Sequence, residues 1–377
     1  MDDAAGTLSL LRESIRRFVE KEIVPKGNAW EEQGFVPREI LREMGKLGFL
    51  GLRYGEEFGG GALDARATAL LAEELGRSTY SGFAITVLVH TDMASPHLVN
   101  AGSPAQIRKY LPKIVSGELI TAVAVTEPDA GSDVKSIRTG ARRDGGDYVL
   151  KGAKMFITNG ALADVYFVAA KTDPAAGSKG ISIFIVEKGM KGFSVGRKLD
   201  KMGWRSSDTA ELVFDDCRVP AENLLGEENR GFYAIMKNFQ NERIAIASMA
   251  MGEAAKAIEL TLEYVKTRKA FGAPLWDKQA IRQRLSMLAA KVEAGRQLVL
   301  HAASLDSQGR DCVKEVSMAK AYCAELLNDV VYDCLQFHGG FGYIKESAIE
   351  RMYRDARVQT IGGGATEVML EEVAKRL

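Results

Sequence analysis

The chain carries no excess charge of either sign, few residues suited to metal or thiol chemistry, and none of the short motifs of the common cofactor folds. Lysine plus arginine and aspartate plus glutamate each total 50 in 377 residues. Nothing is left over to neutralise a phosphate backbone, so nucleic acid is not an expected partner. A local basic pocket for a phosphorylated ligand stays open. The four histidines, His90, His97, His301 and His338, complete no HxxxH or HExxH spacing, so no metal is expected. The four cysteines, Cys217, Cys312, Cys323 and Cys334, form no CxxC pair. The last three stand eleven residues apart, about three helical turns, and read as small buried hydrophobes in a reducing compartment. No GxSxG elbow, P-loop or GxGxxG fingerprint occurs, so a dinucleotide must be held by some other fold. No apolar run approaches the ~20 residues that span a bilayer, and the first residues form neither a signal nor a transit pattern. The expectation is a soluble cytoplasmic protein without a membrane span, with a processed mitochondrial matrix form as the alternative.

What is present is an ordered change of texture. A chain of this length exceeds one ordinary core, so two or three domains are expected. From the start to about residue 118 the apolar spacing is helical. Leu8, Leu11, Ile15, Phe18, Val19 and Ile23 recur every three or four residues until Pro25. Pro37 opens a second helix, and the glycines at 59–61 precede a third near Ala67–Leu75. From 119 to 226 short alternating runs take over, at Val123 and Val125, Tyr148–Leu150, Met155–Thr158, 165–170, 181–186 and 212–214. Glycine and aspartate turns separate them, as in a small β barrel or sandwich. From 227 to 377 the helical period returns in long stretches near 230–268, 276–308 and 311–337, with a short helix after Thr366. Long helices with short links predict an antiparallel four-helix bundle. The fold class is therefore α+β and multidomain: helical, then β-barrel-like, then a bundle.

Two segments could carry chemistry. Val125-Thr126-Glu127-Pro128-Asp129-Ala130-Gly131-Ser132-Asp133 follows a strand and packs turn residues that can offer backbone N–H groups and hydroxyls to a ring edge or a carbonyl. Gln336-Phe337-His338-Gly339-Gly340-Phe341-Gly342-Tyr343 ends a long helix on glycines that permit close backbone approach. Taken singly, each reads as a turn or a helix cap. Together they resemble the β-domain motif and the C-terminal Q-x-x-G-G-x-G motif of the acyl-CoA dehydrogenases. Arg268-Lys269-Ala270-Phe271-Gly272 is similar to that family's R-x-x-F-G turn. Val219-Pro220-Ala221-Glu222-Asn223-Leu224-Leu225-Gly226 is similar to its V-P-x-x-N-x-L-G link. The resemblance covers nearly the whole chain.

The resemblance implies FAD between the β domain and the bundle, completed in part by a neighbouring subunit. Val125, Thr126, Gly131, Ser132, Phe156 and Thr158 match positions along the isoalloxazine ring, with Phe156 where many members have tryptophan. Arg268, Phe271, Gln279, Gln336 and Gly340 match positions that hold the adenosine diphosphate half, where an arginine fork suits a pyrophosphate. Ala365, Thr366 and Glu367 match the last cofactor turn. The substrate implied is an acyl-CoA, the acceptor an electron-transferring flavoprotein, the assembly a homotetramer, a dimer of dimers, and the setting fatty acid β-oxidation.

That chemistry needs a base for the α-proton of a thioester. Many members place it in a Y-E-G-T turn, and here Gly363 of Ile361-Gly362-Gly363-Gly364-Ala365 stands in the glutamate's place. A pattern of the isovaleryl and long-chain branches puts the carboxylate on the first bundle helix before an arginine, which matches Glu242-Arg243. Ile235, Phe239, Ile246 and Met249 share a helical face with Glu242, so its pKa is expected to rise. Glu242 is the expected catalytic base, and the alternative is a carboxylate paired with a lysine or arginine inside the bundle. Ser132, Arg243 and Gly363 are expected at the substrate, the last through its backbone N–H, with ion pairing as the alternative role of Arg243. Two rival functions follow: a flavin monooxygenase or acyl-CoA oxidase on the same fold, and an inactive acyl-binding homologue.

Overall fold

The computed structural model describes residues 2–377. Seven helices come first: α1 (Asp2–Phe18), α2 (Gly27–Gln33), α3 (Arg38–Lys46), α4 (Ala65–Gly76), α5 (Ser81–Leu88), α6 (Ser95–Ala101) and α7 (Pro104–Val115). Local chemistry sets their ends. Asp64 accepts the Arg66 N–H at 2.9 Å to cap α4. Ser103 and Gln106 form a reciprocal capping box at α7, with Pro104 in its first turn, which satisfies donors the helix cannot. Two wide π turns, Val89–Ala94 after α5 and Val19–Ile23 after α1, were not visible in the sequence pattern.

The middle of the chain is one continuous sheet of β1 (Thr121–Ala124), β2 (Gly140–Asp144), β3 (Asp147–Thr158), β4 (Val165–Lys171), β5 (Ile181–Glu187), β6 (Phe193–Lys198), β7 (Thr209–Pro220) and β8 (Leu224–Leu225). The strand order is β6-β7-β3-β2-β4-β5-β8, with β1 parallel to β4. Strands distant along this order touch across the interior. Tyr148 of β3 meets Phe184 of β5 and Tyr166 of β4 meets Phe193 of β6, each at 4.8 Å between rings. The sheet therefore folds over its own apolar face. Between β3 and β7 the register slips from Lys154 to Ile157. Phe156 sits in this bulge with φ +59°, a conformation an aromatic residue adopts only where the surroundings impose it.

The C-terminal part holds α8 (Gly231–Thr267), the small hairpin β9 (Lys269–Ala270) and β10 (Ala273–Pro274), α9 (Gln279–Ser307), α10 (Val313–His338), α11 (Ala348–Ala356) and α12 (Thr366–Ala374). Three helices are long, and α12 packs on α10 as a fourth, shorter member. The sequence reading passed over α11, whose nine residues are too few to build a clear period. Cys312, Cys323 and Cys334 are buried in the core of this bundle. The α4 helix joins the N-terminal part to the bundle at a close crossing. A Cβ on Gly252 would collide with the Glu73 carbonyl oxygen, and one on Gly76 with that of Met249. Glycine at both points lets the two backbones approach. One apolar cluster then runs from the first helices through the sheet interior to Ala245, Ile246 and Met249 of α8. Among the described residues no helix is long and apolar enough to cross a membrane, and no group of three metal-ligating side chains occurs.

Candidate active site

The site forms where α8 passes between the N-terminal helices, the sheet and the glycine turn before α12. Glu242 is 6% exposed. Its face of the helix carries Ile235, in one apolar cluster, and Ile246 and Met249, in another. Burial pushes its pKa up to about 8, opposed by a hydrogen bond from Asn238 and by the charge of Arg243. The Asn238 amide donates to Glu242 Oε1 at 3.0 Å and to the Met93 carbonyl at 2.8 Å. Among the described residues Glu242 forms no salt bridge. The neighbouring Arg243 turns elsewhere: its Nη1 donates to Ser317 Oγ at 3.4 Å, and its guanidinium lies 5.8 Å from the Phe239 ring. Burial pulls the Arg243 pKa down, and its Nε has no acceptor. Among the described residues nothing pairs it with a carboxylate at contact distance.

Gly363 lies against the same face of α8. Its φ is +65°, and a Cβ there would overlap Ile246 Cδ1, one turn beyond Glu242. The space a side chain at 363 would need is filled by isoleucine. The Gly363 N–H donates to no described atom. Lys320 holds the next residue. Fully buried on α10, it donates to the Gly364 carbonyl, and burial lowers its pKa to about 8, helped by Arg243. The sequence reading missed Lys320 and Asn238. Lys320 interrupts a mostly apolar helical stretch, which was an available signal, whereas Asn238 lies in the mostly polar run 237–243 and gave none.

The loop at 125–132 is pinned from beneath by a second pairing not foreseen. Lys154, buried in β3, donates to Glu127 Oε1 at 2.7 Å and to the Val125 carbonyl at 3.0 Å. Glu127 also accepts the N–H groups of Arg138 and Thr139 at 2.6 and 2.9 Å. Burial alone would raise the Glu127 pKa, but Lys154 and these donors hold it below the usual carboxylate range. Burial draws Lys154 down to about 8, against the opposing charge and hydrogen bond of Glu127. The Met155 N–H reaches the Thr126 carbonyl at 2.9 Å, bringing the bulge carrying Phe156 to the loop. Val125 of the loop and Phe239 of α8 pack against the same apolar cluster, which also holds Ile235.

This cradle suits a flavin on its own features. The Phe156 ring is 63% exposed on a strained bulge, a flat apolar surface without a covering partner. The hydroxyls of Thr126, Ser132 and Thr158 are unpartnered among the described residues, and Gly131 has open space where a Cβ would stand. The other matched residues are elsewhere. Arg268 caps the far end of α8, about 39 Å from Glu242 at 1.5 Å per residue. Its guanidinium makes no ion pair among the described residues. Phe271 is 96% exposed, and Gln279, Gln336 and Gly340 are exposed nearby on the bundle. The matched residues thus fall into two groups well separated along α8. Thr366 donates to Glu325 Oε1 at 2.8 Å and opens α12 directly after Ala365, while Glu367 is exposed.

Beside the N-terminal half of α8 lies a cavity of about 560 Å³, bordered by Asn238, Asn241, Gln240, Asp92, Arg53 and Asp306 among others. Asn238, which donates to the Glu242 carboxyl, also lines this cavity, whereas Glu242 does not.

Three family descriptions match the chain in order: acyl-CoA dehydrogenase N-terminal domain over residues 7–118, middle domain over 122–217 and C-terminal domain over 229–377. The chain is 43% identical over 370 residues to the long-chain specific acyl-CoA dehydrogenase, mitochondrial, of Mus musculus, covering 98% of this chain and 86% of that protein. It superposes with a TM-score of 0.95 on an acyl-CoA dehydrogenase from Geobacillus kaustophilus, 41% identical, covering 98% and 97% of the two chains. An FAD complex of PigA, 30% identical, also gives 0.95 with the same coverage.

Proposed function

The chain belongs to the acyl-CoA dehydrogenase family of FAD-dependent oxidoreductases acting on CH–CH bonds, and we propose that it uses the Glu242 carboxylate to remove the α-proton of an acyl-CoA thioester, giving the trans-2-enoyl-CoA. One observation carries this reading. The turn that holds the family's usual glutamate has Gly363, the room for a side chain there is taken by Ile246, and the buried Glu242 stands one turn away on the same helix face.

The roles follow from the chain's own groups. Burial among Ile235, Ile246 and Met249 makes the Glu242 carboxylate a stronger base than a solvated one. The single hydrogen bond from Asn238 occupies Oε1 and leaves Oε2 for the substrate proton. The unsatisfied Gly363 N–H is the donor for the thioester oxygen as enolate charge develops. Lys320 fixes the turn that aims it. Ser132 and Arg243 are assigned to the substrate, Arg243 through its unpartnered Nε. FAD, when bound, supplies the acceptor for the β-hydride. Val125, Thr126, Gly131, Ser132, Phe156 and Thr158 hold its ring, with Ala365, Thr366 and Glu367 at the final turn. Arg268, Phe271, Gln279, Gln336 and Gly340 hold the adenosine diphosphate half for a neighbouring subunit. The separation of the two groups along α8 supports that division, and with it a homotetramer. An electron-transferring flavoprotein is the acceptor in this reading.

The inactive acyl-binding alternative required Glu242 to be salt-bridged, and no such bridge forms among the described residues. A flavin monooxygenase gives an unpaired, desolvated carboxylate no task, whereas an oxidase would use the same base and differ only in passing the electrons to oxygen. Anaerobic bleaching of the bound flavin by acyl-CoA tests the proposal: Glu242→Gln should retain FAD and lose bleaching. Near wild-type bleaching in that variant would overturn it. Peroxide formation in air without an added acceptor would favour the oxidase.

A further inference from the structure

Asn238 and Asn241 face the N-terminal helices from α8, and both are spent on the wide turn Val89–Ala94. A π turn misaligns helix carbonyls and recurs at functional sites. Here the Asp92 carbonyl accepts from Asn241 Nδ2 at 2.7 Å and the Met93 carbonyl from Asn238 Nδ2 at 2.8 Å. The second N–H of Asn238 goes to Glu242 Oε1 at 3.0 Å. Asn238 is 2% exposed, and its Oδ1 is buried with no donor. A purely structural asparagine is normally satisfied at both ends. This one is arranged around its two N–H groups.

We propose, on the reading that Glu242 is the base, that Asn238 is its positioning residue: one N–H orients the carboxyl, the other ties it to the π turn, and the side chain separates it from the neighbouring cavity.

No other group can do this. From α8 itself, Arg243 is directed to Ser317 and Phe239. From the π turn, Asp92 is held by Thr68 Oγ1 at 2.8 Å and Thr91 Oγ1 at 2.5 Å. From α10, Lys320 donates to the Gly364 carbonyl. The glycine turn brings no charged side chain, and Arg53, across the cavity, reaches Asn241 and Asp306. Removing the donor without opening the wall should therefore disfavour the carboxylate. Removing the wall as well should let water back to it.

The experiment compares Asn238→Leu and Asn238→Ala holoenzymes with the wild type in anaerobic flavin bleaching by an acyl-CoA across pH 6–10 (assay range of about four units). For N238L the acid limb should move up by about one unit, so bleaching falls about tenfold at pH 7 and recovers in alkali, with KM little changed. For N238A the limb should lie below that of N238L, because hydration offsets the lost donor. A uniform drop at every pH, or an identical limb in all three proteins, overturns the proposal. Should N238L fail to hold FAD, difference infrared spectra of wild type and N238A decide. The protonated Glu242 carbonyl band, assigned by its loss in Glu242→Gln, should take up deuterium faster in N238A, where water reaches the carboxyl, and an unchanged exchange rate overturns the proposal. If E242Q itself keeps bleaching, the assignment of the base has failed. If E242Q is dead but the limb stays put, only the role of Asn238 has failed.

Discussion

Replacing Gly363 with alanine should impose two costs that a second substitution can separate. The φ of +65° costs a residue with a Cβ about 1–2 kcal/mol. The Cβ also overlaps Ile246 Cδ1, and such overpacking costs about 1–3 kcal/mol. Ile246→Val deletes Cδ1 itself, at about 0.5–1.5 kcal/mol on its own. In the double variant the overlap disappears while the strain remains. G363A/I246V should therefore be better than the sum of the single variants by about 1–3 kcal/mol.

Because the Gly363 N–H is the assigned donor to the thioester, the coupling should appear in the rate as well as in stability. Anaerobic bleaching measured as kcat/KM for the four proteins gives it directly. A coupling of about 1–3 kcal/mol is roughly fivefold to more than a hundredfold. Release of flavin fluorescence on heating supplies the stability cycle. Additivity within about 0.5 kcal/mol in both cycles would mean that α8 does not fill the place of the absent side chain, and the argument linking Gly363 to Glu242 would go with it.

The burial of Glu242 has a stability consequence of definite sign. Its folded pKa, about 8, lies above the ordinary 4.5, so its stabilising contribution is whole below about 4.5 and is lost as pH rises through 8. Glu242→Gln should match the wild type in unfolding free energy in acid and exceed it above pH 8 by several kcal/mol, at about 1.4 per unit, read from thermal melts; a constant difference across pH would refute this. Lys154→Met strands Glu127 as a buried charge, which costs about 3–5 kcal/mol, and should release FAD at lower temperature, whereas unchanged retention would show that the loop at 125–132 does not need the pair. Lys320→Met leaves the Gly364 carbonyl unsatisfied, at about 1–3 kcal/mol, and should slow bleaching more than it weakens FAD binding in a fluorescence titration.

The domain order was legible because it is written in periodicity, which a single sequence displays. Glu242 was proposed from the resemblance, which puts a carboxylate before an arginine on the first bundle helix; periodicity added only that Ile235, Phe239, Ile246 and Met249 share its face. The residues that support it were not. Asn238 serves Met93, 145 positions away in sequence, Lys320 serves a carbonyl at 364, and Lys154 serves Glu127 across the sheet. A side chain's type announces that it needs a partner without saying which. Backbone carbonyls, which every residue carries, are the least legible partners of all. The bulge that turns out Phe156 was hidden likewise, since a register slip depends on the opposite strand.

Moving a base from one element to another demands more than a carboxylate at the new address. The old position must close without leaving a void, as Ile246 does against Gly363. The backbone donor of the old turn must stay where the thioester needs it, which requires the turn to be held by something other than the lost side chain, here Lys320 on the Gly364 carbonyl. In the proposed reading the new carboxyl must be dry enough to be basic yet aimed, and Asn238 would supply the aim through one N–H while its other N–H bonds the Met93 carbonyl. Each condition is met by a residue on a different helix from its partner or one turn removed from it. A carboxylate grafted onto α8 of a relative without the counterparts of Ile246, Lys320 and Asn238 should therefore be a poorer base than Glu242, even with its backbone in the same place.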